Sequence, residues 1–173
     1  MKRLGCIFVV FLLVAGMVPV GAGALQNANL EVPGKSALLM DVSTGTVLFE
    51  SNPHEKLAPA SVTKVMTMLL VMEAIDSGKI GWNDTVTTSE SAAAKGGSQI
   101  YLKVGETMTV TDMVKSIAVS SANDCACAMA EHLAGSESAF VDMMNNRAQE
   151  LGMQDTHFVN CTGLDDDPTA NQT

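Results

Sequence analysis

The chain has 173 residues, 47% of them hydrophobic, with 10 Lys and Arg set against 19 Asp and Glu for a formal charge of −9. That is enough for one domain of ordinary size. The acidic balance argues against nucleic acid as a partner, which calls for a basic patch.

Lys2 and Arg3 precede an apolar run from Leu4 to Val20, broken late by Pro19, and the small residues Ala22-Gly23-Ala24 follow. This is the pattern of a secretory signal peptide over residues 1–24. A membrane anchor is the alternative. It is disfavoured because the unbroken apolar part is short and a cleavage signature follows it. Cys6 lacks a lipobox-like setting. The mature domain, 25–173, then carries a formal charge of −11, because Lys2 and Arg3 leave and no acid is lost with them. An exported protein is expected.

Ser36–Met40 and Thr46–Glu50 read as two strands around the turn residues Asp41-Val42-Ser43-Thr44-Gly45. Asn52-Pro53 breaks the chain. A strongly apolar helix is expected next, entered through Pro59, running from about Val62 to Ile75 and closed by Gly78. Apolar nearly all round, it reads as a core helix. Trp82–Ser89 is a short strand or loop, Ala92–Ser98 small and flexible, and Gln99–Val104 a brief extended piece. Thr109 caps a helix to Val119 with Asp112 in its first turn. Ser120-Ser121-Ala122-Asn123 interrupts it. Helices follow from Asp124 to Leu133, ending at Gly135, and from Ser136 or Ser138 to Leu151, stopped by Gly152. Asn160–Leu164 reads as a turn and the acidic tail from Asp165 as loop. A hairpin, a buried helix and a helical cluster make an α+β pattern.

Two stretches carry chemistry. In Ser61-Val62-Thr63-Lys64 the hydroxyl and the amine lie three residues apart, one helical turn, on one face. A serine needs a base to become a nucleophile. A lysine can be that base when burial disfavours its charge. The plain alternative is a capping serine beside an ordinary lysine. Ser121-Ala122-Asn123 lies between two helices, where a hydroxyl can relay a proton and an amide can hold a carbonyl. Its plain alternative is a helix cap.

In that order the two stretches form the S-x-x-K and Ser-x-Asn motifs of penicillin-recognising serine enzymes. The chain resembles the serine-type D-Ala-D-Ala carboxypeptidases, the low-molecular-mass penicillin-binding proteins of peptidase family S11. Ala37–Asp41, Thr44–Leu48, Pro59–Thr67, Gly97–Leu102, Gly105-Glu106, Ser121–Asp124, Phe140-Val141 and Leu151–Met153 follow in the family's sequence. The likeness covers nearly all of 35–164. It implies a β-lactamase/DD-peptidase-like α+β fold, an antiparallel sheet flanked by helices plus a helical subdomain. It makes Ser61 the acylated nucleophile, Lys64 its general base, Ser121 the proton shuttle and Asn123 the substrate-orienting amide. The substrates implied are peptidoglycan stem peptides ending in D-Ala-D-Ala, with β-lactams as acylating inhibitors and neither metal nor cofactor.

Two departures qualify the likeness. No Lys-Thr-Gly follows Asn123, and Cys125 stands where alanine is usual. The first leads to the expectation of an N-terminal part of the catalytic domain, cut before the later sheet strands and hydrolysing poorly alone. Any membrane association would come through a C-terminal anchor absent here. The alternatives are a catalytically inert wall-binding protein on the same fold and a class A β-lactamase. The β-lactamase reading is weakened by Ala122, where that family prefers Asp.

The remaining polar candidates carry less. His54, His132 and His157 are scattered, without the spacing of a Ser-His-Asp triad. Glu131 reads as part of a solvated helix face. Asp165–Asp167 lacks the spacing and glycine of a calcium loop. Cys125, Cys127 and Cys161 read as small buried hydrophobes, and no histidine sits at zinc spacing from them.

Overall fold

A computed structural model describes residues 32–164. The expected signal peptide and the Asp165–Asp167 run lie outside these residues. The chain divides into two compact units at Pro53/His54.

In the first unit, β1 (Ala37–Met40) pairs antiparallel with β2 (Val47–Ser51), with Leu38 opposite Glu50 and an irregularity between Leu39 and Met40. Asp41 builds the turn. Its Oδ1 accepts from the Ser43 hydroxyl at 2.7 Å and the Thr44 amide at 2.8 Å. Those bonds, the Ser43 hydroxyl first, hold its carboxyl below the usual carboxylate range. Gly45, at φ +70°, takes the left-handed position that closes the loop. The expected hairpin is present within one residue at each end.

The second unit is helical with one small ribbon. A 3-10 turn (Ala60–Thr63) leads into α1 (Lys64–Asp76). β3 (Thr85–Thr87) pairs antiparallel with β4 (Thr107–Thr109), placing Val86 opposite Met108. Between these strands lies α2 (Glu90–Ala93), capped by Ser89, whose Oγ accepts from the Ala92 amide. Then come α3 (Val110–Ser120), α4 (Asn123–Ala134) and α5 (Glu137–Glu150). Thr109 and Ser136 cap α3 and α5 by accepting from the Asp112 and Ala139 amides. Gly135 ends α4 in the left-handed conformation at φ +82°.

The centre of this unit is α4. It packs against α1, α2, α3, α5 and β3. Its middle reads Cys125-Ala126-Cys127-Ala128-Met129-Ala130, all buried. Small side chains on every side let neighbouring helices approach closely. Met113, Met129, Phe140 and Met144 fill the spaces between them, each worth about 1.5–3 kcal/mol of burial. No helix among the described residues is long and apolar enough to cross a membrane.

Three expectations are corrected. The helix after Pro59 does reach the core, but on one face only, and α4 is the helix buried most nearly all round. Met66, Thr67, Leu70, Val71 and Ala74 form a single buried stripe on α1, while Val62 and Val65 remain 65% and 61% exposed. Ser61 itself lies on a 3-10 turn rather than an α-helix. Gln99–Val104 is not extended. The buried Asp124 carboxylate accepts from the amides of both Ile100 and Leu102 at 3.0–3.3 Å. In an extended strand those two amides stand too far apart to reach one carboxylate. Tyr101 between them turns to φ +65°, so both N–H groups converge as in an anion-binding nest. The helix α2 and the strand β4 had no clear signal in the sequence.

Candidate active site

The 3-10 turn places Ser61 and Lys64 in register, because residues three apart eclipse at three residues per turn. Lys64 Nζ lies 3.1 Å from Ser61 Oγ. Ser61 is exposed, whereas Lys64 is only 2% exposed. The nucleophile candidate thus meets solvent and its base candidate is kept dry. Burial lowers the lysine's pKa from the ordinary value, and its proximity to Cys161 counteracts only part of this.

A second acceptor orients the amine. Lys64 Nζ donates to the Thr162 carbonyl at 2.9 Å. A neutral amine giving one N–H to Thr162 presents its lone pair to the Ser61 hydroxyl. The same heavy-atom geometry serves the ammonium donating to Ser61. The pair is therefore arranged for a proton to pass between Oγ and Nζ.

The turn that supplies this carbonyl is tied together by Asn160. Its Oδ1 accepts from the Thr162 and Gly163 amides at 3.1 and 2.7 Å. Thr67 Oγ1 donates to the Cys161 carbonyl at 2.7 Å. Gly163, at φ +76°, sits so close to the Ala60 carbonyl that a Cβ there would overlap it. The turn thus bears directly on the backbone before Ser61.

Asn123 is 3% exposed and opens α4. Its backbone N–H donates to Ser98 O and its Nδ2 to Gly96 O, both at 2.7 Å. The Gly96 oxygen can only accept, so the orientation of the amide follows from that bond. Asn123 Oδ1 faces the other way and is buried without a hydrogen-bond partner among the described residues. A Cβ on Gly97 would meet both Asn123 Nδ2 and the Leu164 side chain. The loop at Gly96–Ser98, the turn at 160–164 and the Ser61 turn therefore adjoin one another.

Ser121 caps α3 in the left-handed region, at φ +54° and ψ +34°. Its hydroxyl makes no hydrogen bond among the described residues. Ala60, just before Ser61, is also left-handed, at φ +47°. Each such non-glycine conformation costs about 1–2 kcal/mol and persists where its surroundings enforce it. Of the four expected site residues, Ser61 and Lys64 touch, Asn123 is held through the Gly96–Ser98 loop, and Ser121 stands unengaged.

Sequence reasoning missed the Thr162 carbonyl, the Gly96 carbonyl and the close seat of Gly163. The residues Asn160, Thr162 and Gly163 did signal a turn. Nothing local says which carbonyl of that turn a distant lysine will take. The histidines stay outside the site: His54 meets Asp155 at 3.5 Å on the surface, and His132 and His157 are exposed.

The family model described as Peptidase_S11, D-alanyl-D-alanine carboxypeptidase, matches residues 23–172. The chain is 55% identical over 139 residues to D-alanyl-D-alanine carboxypeptidase DacF of Bacillus subtilis, covering 80% of this chain and 36% of the relative. The crystal structure of D-alanyl-D-alanine carboxypeptidase DacD from Francisella tularensis superposes with a TM-score of 0.81 at 37% identity, over 87% of this chain and 36% of that one. Penicillin-binding protein D2 from Listeria monocytogenes, in its ampicillin-bound form, gives 0.73 at 31% identity, over 84% of this chain and 58% of that one. The chain thus spans about a third of the length of the curated relatives it matches.

Proposed function

The chain belongs to the D-alanyl-D-alanine carboxypeptidase family, Peptidase_S11, and from that premise we propose that the protein removes the terminal D-alanine of peptidoglycan stem peptides through an acyl-serine intermediate, acting in the cell envelope after export. The observation that carries the reading is the Ser61–Lys64 contact, an exposed hydroxyl 3.1 Å from a buried amine.

In the proposed reaction Lys64 Nζ takes the Ser61 proton as Oγ attacks the carbonyl carbon of the penultimate D-Ala. The developing oxyanion faces the Ser61 backbone N–H in the first helical turn, where N–H groups lack intrahelical partners. The Ser121 hydroxyl carries the proton to the nitrogen of the departing D-alanine. Asn123 contacts the substrate backbone through its unpaired Oδ1 and its second Nδ2 hydrogen. Water then attacks the ester, with Lys64 again as base, and Ser61 is regenerated. β-Lactams acylate the same oxygen. The Lys-Thr-Gly that would hold the substrate carboxylate is expected outside this chain.

The test is covalent labelling by a fluorescent penicillin of protein carrying this chain together with its Lys-Thr-Gly segment. Labelling is expected in the parent and lost in Ser61→Ala. Equal labelling of Ser61→Ala would remove Ser61 from the role.

A further inference from the structure

We propose that Lys95 and Glu137 are positioning residues, an ion pair that fixes the two backbone carbonyls on which Lys64 and Asn123 are seated. The inference deepens the carboxypeptidase reading and rests on it. Glu137 opens α5, and its carboxylate serves two other segments at once. Oε2 accepts from Lys95 Nζ at 2.6 Å. Oε1 accepts from the Cys161 backbone N–H at 3.3 Å and lies 3.2 Å from the Cys161 Sγ. The Lys95 and Glu137 side chains are only 26% and 20% exposed. Burial opposes both charges, yet the bond between them raises the Lys95 pKa and helps to lower that of Glu137, so the pair stays ionised. A carboxylate with donors on both oxygens is fixed in orientation as well as in place.

From Glu137 one path runs to the amine. Glu137 holds the Cys161 N–H, and Thr67 holds the Cys161 carbonyl at 2.7 Å. The peptide planes on either side of Cys161 are thus gripped, and the next carbonyl, that of Thr162, is aimed at Lys64 Nζ. From Lys95 the other path is one bond long. The following residue is Gly96, whose carbonyl accepts from Asn123 Nδ2 at 2.7 Å. The pair therefore ties the loop behind Asn123 to the turn behind Lys64. Stability alone is a poor account of it, because desolvation offsets most of what a buried ion pair contributes. What directional, charge-assisted bonds add is geometry.

The test measures acylation by a fluorescent penicillin against its concentration and against pH, in protein carrying this chain together with its Lys-Thr-Gly segment. Lys95→Met and Glu137→Gln are expected to lower the saturating rate by up to about 10²-fold, the cost of a misplacement of about 1 Å. The half-saturating concentration should change little. The pH midpoint should rise, because a loosened turn admits water and relieves the burial that lowers the Lys64 pKa. Lys95→Arg keeps the cation and should recover most of the rate. Arg147→Gln breaks a different ion pair of α5, with Glu73 at 2.7 Å, and controls for stability. A parental rate and pH midpoint in Lys95→Met and Glu137→Gln overturn the inference. So does a loss no larger than that of Arg147→Gln at the same urea midpoint. Should Glu137→Gln not fold, Lys95→Met decides alone, since Lys95 lies on the loop after α2. Ser61→Ala separates the two levels. If it labels like the parent, the reading of Ser61 falls and this inference with it. If it loses labelling while the ion-pair variants do not, only the role of the ion pair falls.

Discussion

Lys64 reaches across the fold to the carbonyl oxygen of Thr162, 2.9 Å from its Nζ. Thr67, three residues on, takes the preceding carbonyl, that of Cys161, at 2.7 Å. Two side chains one turn apart on α1 thus hold two consecutive carbonyls of a single turn. The amine beside Ser61 is positioned by a distant segment of chain.

If Ser61 is acylated as proposed, the pH dependence of that step follows from the amine. Only neutral Lys64 can accept the Ser61 proton, and burial lowers its pKa below the ordinary 10.5. The rate of penicillin labelling is expected to rise with pH and reach half-maximum below the range of a free lysine. Lys64→Arg keeps a cation that does not deprotonate. It is expected to slow labelling by about 10²–10⁴-fold, the usual worth of a general base. A pH midpoint at the ordinary lysine value would contradict the role given to burial.

Gly163 offers a steric test. Alanine there would place its Cβ into the Ala60 carbonyl and hold a left-handed φ of +76°. Gly163→Ala is expected to cost about 2 kcal/mol or more in stability, read as a lower urea midpoint. Labelling of Ser61 should fall as well, since the displaced backbone is its own. A variant as stable as the parent would mean that the turn moves away freely.

Asp124 tests the loop that carries Tyr101. Its carboxylate accepts from Ile100, Leu102 and its neighbour Cys125. In Asp124→Asn an amide N–H₂ opposes one of those donors. A loss of about 2 kcal/mol or more is expected, with faster hydrogen exchange at the Ile100 and Leu102 amides. Unchanged exchange would show that the carboxylate does not hold the loop.

Glu137 and Lys95 set a pH window for stability. Burial alone raises the Glu137 pKa, but the bonds from Lys95 and Cys161 outweigh it, and the net direction is downward. Its contribution is therefore full above the unfolded value of 4.5 and lost as pH falls through the lower folded value. The Lys95 pKa is raised despite burial, chiefly by its hydrogen bond to Glu137. That contribution is full below 10.5 and lost as pH rises through the higher folded value. Urea midpoints of the parent and Glu137→Gln should differ most between these limits and converge in acid. A difference that stays constant into acid would rule out the charge as its origin.

What was legible in the sequence was local. Thr109 and Ser136 announced their helices because capping is decided within four residues. Gly135 and the Asp41–Gly45 turn follow from the same short-range logic. The Ser61–Lys64 contact was legible because three-residue spacing brings the side chains together on either type of helical turn. What was not legible depends on distant partners. Asp124 reads as an ordinary acid in a helix's first turn, and only its fold neighbours make it the anchor of residues 100–102. The exposure of Val62 and Val65 contradicts a run that looks apolar all round, because burial is decided by what packs against each face.

The buried Asn123 Oδ1 has one more consequence. An acceptor with no partner among the described residues leaves such a fold less stable than its atoms allow, by about 1–3 kcal/mol. If Asn123 receives substrate as proposed, a ligand that brings an N–H to that oxygen would relieve the deficit and link occupancy of the site to resistance to heat. On that proposal the protein's melting temperature becomes a gauge of which molecules the site accepts, readable without any turnover at all.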